Sequence, residues 1–283
     1  MDPDAYRADS AQRWERAAEG WGRHRTDFDR AMMGVTQAML DGARLQPGQH
    51  VLELAAGLGE TGMMAAELVT PGGSVVISDG SEAMLELARA RGEQVGATNV
   101  AFQLLEAEWI DLATASVDVV LCRFGLMLVA DPGTALGEVR RILRPGGRVV
   151  LAAWDMPAEN PWTEIAAEVG AELGLSESRD PDAPGLFAFS ASGRIEELLA
   201  SAGFLDWSVE SIAAEFVYDD LDAWWEQRVD LSPPFADLLA GLSGDDRDNF
   251  RSAIDARLAA YEVPDSGGQI SLPARVLVAT ADA

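Results

Sequence analysis

The chain runs to 283 residues, 48% of them hydrophobic, so it can bury a sizeable core as one decorated α/β domain or two small ones; one domain with insertions is the favoured reading. Its formal net charge of −26 repels phosphate backbones and anionic membranes over most of the surface, which argues against nucleic acid as a substrate. There is no lysine, and that removes Schiff-base catalysis, the phosphate-gripping lysine of P-loop enzymes and the Tyr/Lys pair of short-chain dehydrogenases.

The first stretch, MDPDAYRADS, is acidic and has neither the positive start nor the apolar segment of a secretory signal. No apolar run approaches the roughly 20 residues that cross a bilayer, so a cytoplasmic protein without a membrane span is expected. Residues 10–45 carry a helical pattern, with Trp14, Ala17, Ala18 and Trp21 on one stripe that reads first as a packing face. From 48 to 154, the apolar runs HVLELA, SVVISD, VAFQLL, VDVVLC and RVVLAAW alternate with helical patterns, the rhythm of a parallel sheet with crossover helices. Met84, Leu87 and Ala88 recur at helical spacing after Ser81, and Leu136, Val139 and Leu143 do so after Asp131-Pro132. The turn Arg144-Pro145-Gly146-Gly147 then leads into the next strand. Farther on, 194–201 reads as a helix, and 207–217 and 270–280 as strands. Two stretches interrupt the series: 157–190, with ENPW and the acidic loop SRDPDAPG, and 219–266, with Trp224-Trp225 and GDDRDN. Both read as insertions over the active-site edge of the sheet.

The segment Glu53-Leu54-Ala55-Ala56-Gly57-Leu58-Gly59-Glu60-Thr61-Gly62 ends the first strand and enters a helix. Glycines allow a sharp turn and let a ligand press on bare backbone, while the helix start offers unpaired N–H groups. Residues 57–62 fit G-x-G-x-x-G, and Asp79 ends the next strand roughly 20 residues on, so a nicotinamide or flavin cofactor satisfies this pattern too. The neighbours decide between these readings: Glu53 before the glycines, Asp79-Gly80-Ser81-Glu82-Ala83-Met84 after the second strand, Glu106-Ala107 after the third, and Asp118 in the fourth before the RPGG turn.

In this order the motifs resemble those of class I S-adenosylmethionine-dependent methyltransferases, particularly the small-molecule branch similar to quinone-biosynthesis C-methyltransferases. The resemblance covers residues 46–154 well and weakens outside them. It implies a Rossmann-like α/β fold, a mostly parallel seven-stranded sheet with a helical cap at 1–45 and a core at 46–283 carrying the insertions at 157–190 and 219–266. By the same resemblance Glu53, Ala55, Ala56, Gly57 and Gly59 border the methionine part of adenosylmethionine, and Asp79 takes the ribose hydroxyls. Gly80 and Met84 lie near the adenine, Glu106-Ala107 meets its amino group, and the Cys122 main-chain carbonyl meets the methionine ammonium. Three residues depart from the family pattern: Ala55 replaces a frequent glycine, Gly80 a usual apolar residue and Glu106 a common aspartate. The Cys122 side chain, in an apolar strand, reads as a buried thiol rather than a nucleophile.

The expected reaction is in-line methyl transfer to a small organic acceptor, leaving adenosylhomocysteine, with orientation and desolvation carrying the rate. Trp21 and Arg25 of the N-terminal cap, Arg123 and Met127 after the fourth strand, and Trp154 after the fifth make the expected acceptor pocket, suited to a flat or apolar molecule, with arginine suited to an acidic oxygen. Residues 1–30 read as a lid that can be removed from a folded core. His24 is the candidate base, although an exposed structural histidine is the plainer reading, and His50 reads as structural. No metal-type cluster is visible, so no metal is expected. Two alternatives stay open: a cofactor-binding protein without catalysis, and an NAD(P)-dependent oxidoreductase, which would leave Glu53 and the acid after the third strand unexplained.

Overall fold

In the computed structural model, which describes residues 2–176 and 183–283, the chain begins with helix α1 (Pro3–Ala43), 41 residues long. Asp2 caps it by accepting the Asp4 N–H, Pro3 occupies the first turn where a missing donor costs nothing, and Arg44 closes it in the left-handed region. The periodic pattern alone puts its start at residue 10, because the first two turns bury nothing fully. Its second half is core: Met32, Val35 and Met39 are fully buried.

The alternation then unfolds as β1 (His50–Glu53), α2 (Glu60–Leu68), β2 (Ser74–Asp79), α3 (Glu82–Val95), β3 (Val100–Leu104), β4 (Val117–Arg123), α4 (Pro132–Ile142) and β5 (Leu143–Trp154). After it come α5 (Pro161–Glu172), α6 (Arg194–Ser201), β6 (Leu205–Tyr218), α7 (Leu221–Leu231), α8 (Pro233–Gly241), α9 (Gly244–Leu258) and β7 (Ile270–Asp282). The seven strands are ordered β3-β2-β1-β4-β5-β7-β6; the first five run parallel and β7 is antiparallel to both neighbours. Val51 sits between Val75 and Val119, and Val120, Leu121, Val150 and Leu151 continue an interior covered on both faces, which is why these strands read as unbroken apolar runs.

Asp118, a motif residue in the sequence, serves the other end of the sheet. Its Oδ2 accepts the His50 N–H at 2.7 Å and Arg144 Nη1 at 2.6 Å, tying the start of β1 to the RPGG turn. The stretch 157–176 supplies α5, which packs on α9, while α7 lies along α1. The loop SRDPDAPG falls largely outside the described residues. Among the described residues no helix is long and apolar enough to cross a membrane.

Candidate active site

The strand order reverses between β1 and β4, and there the loops after the first four strands surround a cleft. The empty space in it, the open mouth included, comes to about 1250 Å³. Ala55, Ala56 and Gly57 come from the first loop; Asp79, Gly80 and Met84 from the second; Glu106 and Ala107 from the third; and Arg123 from the end of β4. The first half of α1 forms the roof, adding Trp21 and Arg25 among others.

Asp79 organises two of these loops. Its Oδ2 accepts the Gly57 N–H at 2.8 Å and its Oδ1 the Ser81 N–H at 2.9 Å, so one carboxylate fixes both the glycine turn and the entry to α3. Burial pushes its pKa up, against the pull of those N–H donors. Glu106, whose carboxylate lies beside Gly80, 3.5 Å from where a Cβ on that glycine would stand, is also raised, first by burial and then by the nearby Glu108. Glu53 does not line the cleft: its Oε2 accepts the Gly62 N–H at 2.9 Å beneath the turn. A Cβ on Gly62 would come within 2.4 Å of that oxygen, so the close approach requires glycine. Burial lifts Glu53 to about 7, with Arg123 and the Gly62 N–H opposing it.

Gly59 and Cys122 also stand behind the surface. Gly59 is the left-handed residue before α2, and Cys122 is buried, its thiol pushed up to about 12 by burial, which leaves it un-ionised and not nucleophilic. Two expected pocket residues are displaced as well. Met127 turns into the core, leaving Leu128 as that part of the wall, and Trp154 is buried behind Phe124. The Phe124 and Trp154 rings stack with centroids 4.2 Å apart and planes 6° from parallel, so Phe124 presents the aromatic face. Phe124 does so from a left-handed backbone, φ 67°, an unusual conformation for a bulky residue in a ligand site.

The roof is latched at three points that sequence reading missed. Tyr6 Oη donates to the Leu128 carbonyl at 2.8 Å, and Arg7 forks onto Glu108 at 3.0 and 2.7 Å. Glu15 accepts the Glu82 N–H at 2.7 Å, where α3 presents free donors. Ala18, Leu58 and Met84 form a small apolar cluster under the roof, flanked by Trp14 and Trp21.

His24 is not part of the cleft, and this corrects its candidacy as the base. Residues 21, 25 and 28 share the face of α1 that looks inward, whereas His24 sits on its shoulder with Nε2 2.8 Å from Asp230 Oδ2 on α7. Arg23 reaches the same carboxylate. Burial raises Asp230, but the Arg23 and His24 hydrogen bonds outweigh it and hold the group below the ordinary carboxylate range. His24→Ala is therefore expected to cost about 1 kcal/mol of stability through the lost α1–α7 tie, with less than a tenfold loss of turnover. A thousandfold loss in a steady-state assay would return His24 to the chemistry.

The described residues of the expected insertions do not reach the cleft. Among the described residues of 157–190 and 219–266 none lines it, because α5 and α7–α9 pack together and against the flank of α1. The departure at Ala55 has a measurable consequence, since Ala55 adopts φ 49° and a Cβ on Gly125 would fall 2.3 Å from its methyl. A left-handed alanine carries a penalty of roughly 1–2 kcal/mol, partly offset by the greater unfolded-state freedom of glycine. Ala55→Gly is expected to raise the melting temperature by about 1–3 °C, and a fall in melting temperature would show the methyl to be favourably packed.

Residues 45–181 match the family described as "Methyltransferase domain". A ubiquinone/menaquinone biosynthesis C-methyltransferase of Haemophilus ducreyi is 32% identical over 127 residues, 44% of this chain and 49% of that protein. Its Escherichia coli counterpart is 29% identical over 205 residues, covering 72% of this chain and 74% of the relative. An uncharacterized transposon protein of Streptomyces fradiae is 39% identical over 132 residues, 46% of this chain. The matching segment thus spans only 37% of the Streptomyces protein and about half of the Haemophilus one. Among solved structures, the YcgJ protein of a Bacillus superposes with a TM-score of 0.59 at 20% identity, covering 87% of this chain and 97% of that one. Phosphoethanolamine N-methyltransferase 2 of Haemonchus contortus, solved with phosphomonomethylethanolamine and S-adenosylhomocysteine, superposes at 0.53 and 20% identity, over 88% of this chain and 52% of the other. Residues 45–181 are thus a methyltransferase domain seated on the reversal of strand order, similar in sequence to the quinone-biosynthesis C-methyltransferases.

Proposed function

We propose that the chain transfers the methyl group of S-adenosylmethionine to a small organic acceptor lodged beneath α1. The observation that carries this reading is Asp79, held by two loop N–H groups so that both of its oxygens keep lone pairs at the cleft. Those lone pairs suit a ribose diol, and Glu106 beyond Gly80 suits an adenine amino group. Adenosylmethionine supplies an activated methyl on a sulfonium, so the protein needs mainly to bind, align and exclude water. The glycine turn at Ala55, Ala56 and Gly57 borders the methionine end, and Trp21, Phe28 and Phe124 hold a flat acceptor near it. The roof covers one side of the cleft, whose mouth stays open.

This reading makes the half of α1 that lines the cleft a cap, with the core starting inside α1 rather than at residue 46 because Met32, Val35 and Met39 are buried in it, and the protein works in the cytoplasm, without metal and without nucleic acid. The net charge of −26 supports the last point, and the described residues contain no group of three or more acidic, histidine or cysteine side chains placed to hold an ion. Calorimetric titration with adenosylmethionine, adenosylhomocysteine and NADH tests the cofactor. Micromolar binding of the first two and none of NADH is expected, and a preference for NADH would overturn the reading. Release of adenosylhomocysteine in the presence of an acceptor separates an enzyme from a binding protein.

A further inference from the structure

Resting on that reading of the same cleft, we infer that the acceptor is an aromatic carboxylate and that Arg25 is the residue that selects it. The cleft is divided in charge. Asp79, Glu106 and Glu108, the last paired with Arg7, make one side acidic, whereas the side beneath α1 carries Arg25 and Arg123, with Asp29 and Glu60 as the acids beside them. Arg123 is already committed: Nη1 donates to Thr36 Oγ1 at 2.8 Å, Nη2 stands 3.7 Å from Asp29, and its guanidinium lies over the Phe28 ring. Arg91, behind it, takes Asp29 at 3.1 Å and also Glu60, so the nearby carboxylates are used. Arg7 is occupied by Glu108.

Arg25 differs from all three. It is half-buried, lines the cleft, and forms no ion pair or hydrogen bond with any described residue. In a chain with 47 carboxylates against 21 cationic side chains, a cleft arginine left without an acid among the described residues has its donors free for something else. One turn earlier on the same face, the buried Trp21 indole N–H also lacks an acceptor among the described residues. Two orphaned donors on one face call for an acceptor oxygen, and a planar guanidinium matches a carboxylate in bidentate fashion. The walls beside them are rings: Trp21 meets Phe28 edge-on at 4.8 Å, and Phe28 meets Phe124 at 6.3 Å. Such walls take a flat hydrophobic body, while the acids on the opposite side repel the same anion and so fix which way round it sits.

The test uses the full chain saturated with adenosylhomocysteine, titrated with 2-naphthoate and with its neutral isostere 2-naphthamide. The carboxylate is expected to bind at least tenfold more tightly than the amide. Arg25→Gln is expected to erase that preference while changing adenosylhomocysteine affinity less than threefold, and Arg25→Lys to restore part of it. Equal affinities for the two probes, or no binding of the carboxylate, overturn the proposal. A loss of adenosylhomocysteine affinity beyond threefold in Arg25→Gln overturns it too, because the guanidinium would then serve the methionyl carboxylate of the cofactor. Failure of the unaltered chain to bind adenosylhomocysteine overturns the methyltransferase reading itself, before any probe is added.

Discussion

Asp79→Ala is expected to weaken adenosylmethionine binding by at least tenfold while leaving the chain folded. The substitution removes the proposed partner of the ribose, and hydrogen bonds to a charged acceptor are worth roughly 1.5–3 kcal/mol, or about 10- to 150-fold. It also frees the Gly57 and Ser81 N–H groups, so the glycine turn and the start of α3 lose a shared anchor. The fold should survive, because burial already raises the pKa of this carboxylate and its removal relieves part of that cost. Calorimetry with adenosylhomocysteine and circular dichroism check the two halves of the claim. An unaltered affinity would remove Asp79 from the site.

The second large effect concerns the roof. Removing residues 1–22 takes away Tyr6, Arg7, Glu15, Trp14 and Trp21, and with them all three latches. The remainder keeps Met32, Val35 and Met39 and should fold. Adenosylhomocysteine affinity is expected to fall by tenfold or more and turnover to fall at least a thousandfold, since alignment and water exclusion can be worth about 7–11 kcal/mol and both depend on closure. Full affinity in the shortened chain would show that the roof is not part of the site. A cut at residue 30, the boundary at which the sequence ends the lid, is less informative. It also deletes Phe28 and Asp29, and Asp29 neutralises Arg91 and Arg123 in the interior.

The parallel half of the sheet was legible because its information is local. Runs such as VDVVLC need burial on both faces, and glycine turns with an acid at the next strand end declare a ligand-binding crossover. What escaped depends on partners far away in sequence. His24 faces Asp230, 206 positions distant, and nothing in the neighbourhood of either announces the other. Trp154 and Phe124 compete for one place at the wall, and only their 4.2 Å stack decides which is outermost. Met127 and Leu128 are adjacent, and the short helical turn that carries them turns the first inward and leaves the second at the wall. The segment beginning at Pro3 could have been read as a helix start, since Asp2 and Pro3 are capping and first-turn residues, but with few apolar positions it carried no periodic signal.

Helix α1 is an unbroken rod of 41 residues, about 60 Å long, and belongs to two regions at once. Amide exchange should divide it. The protons of residues 32–43 are tied to the core and exchange only when the whole chain unfolds, whereas those of 3–22 are held by the latches and exchange through local fraying. A ligand filling the cleft would slow the second group without touching the first, so the protection of one half of a single helix becomes a gauge of occupancy that requires no knowledge of the acceptor.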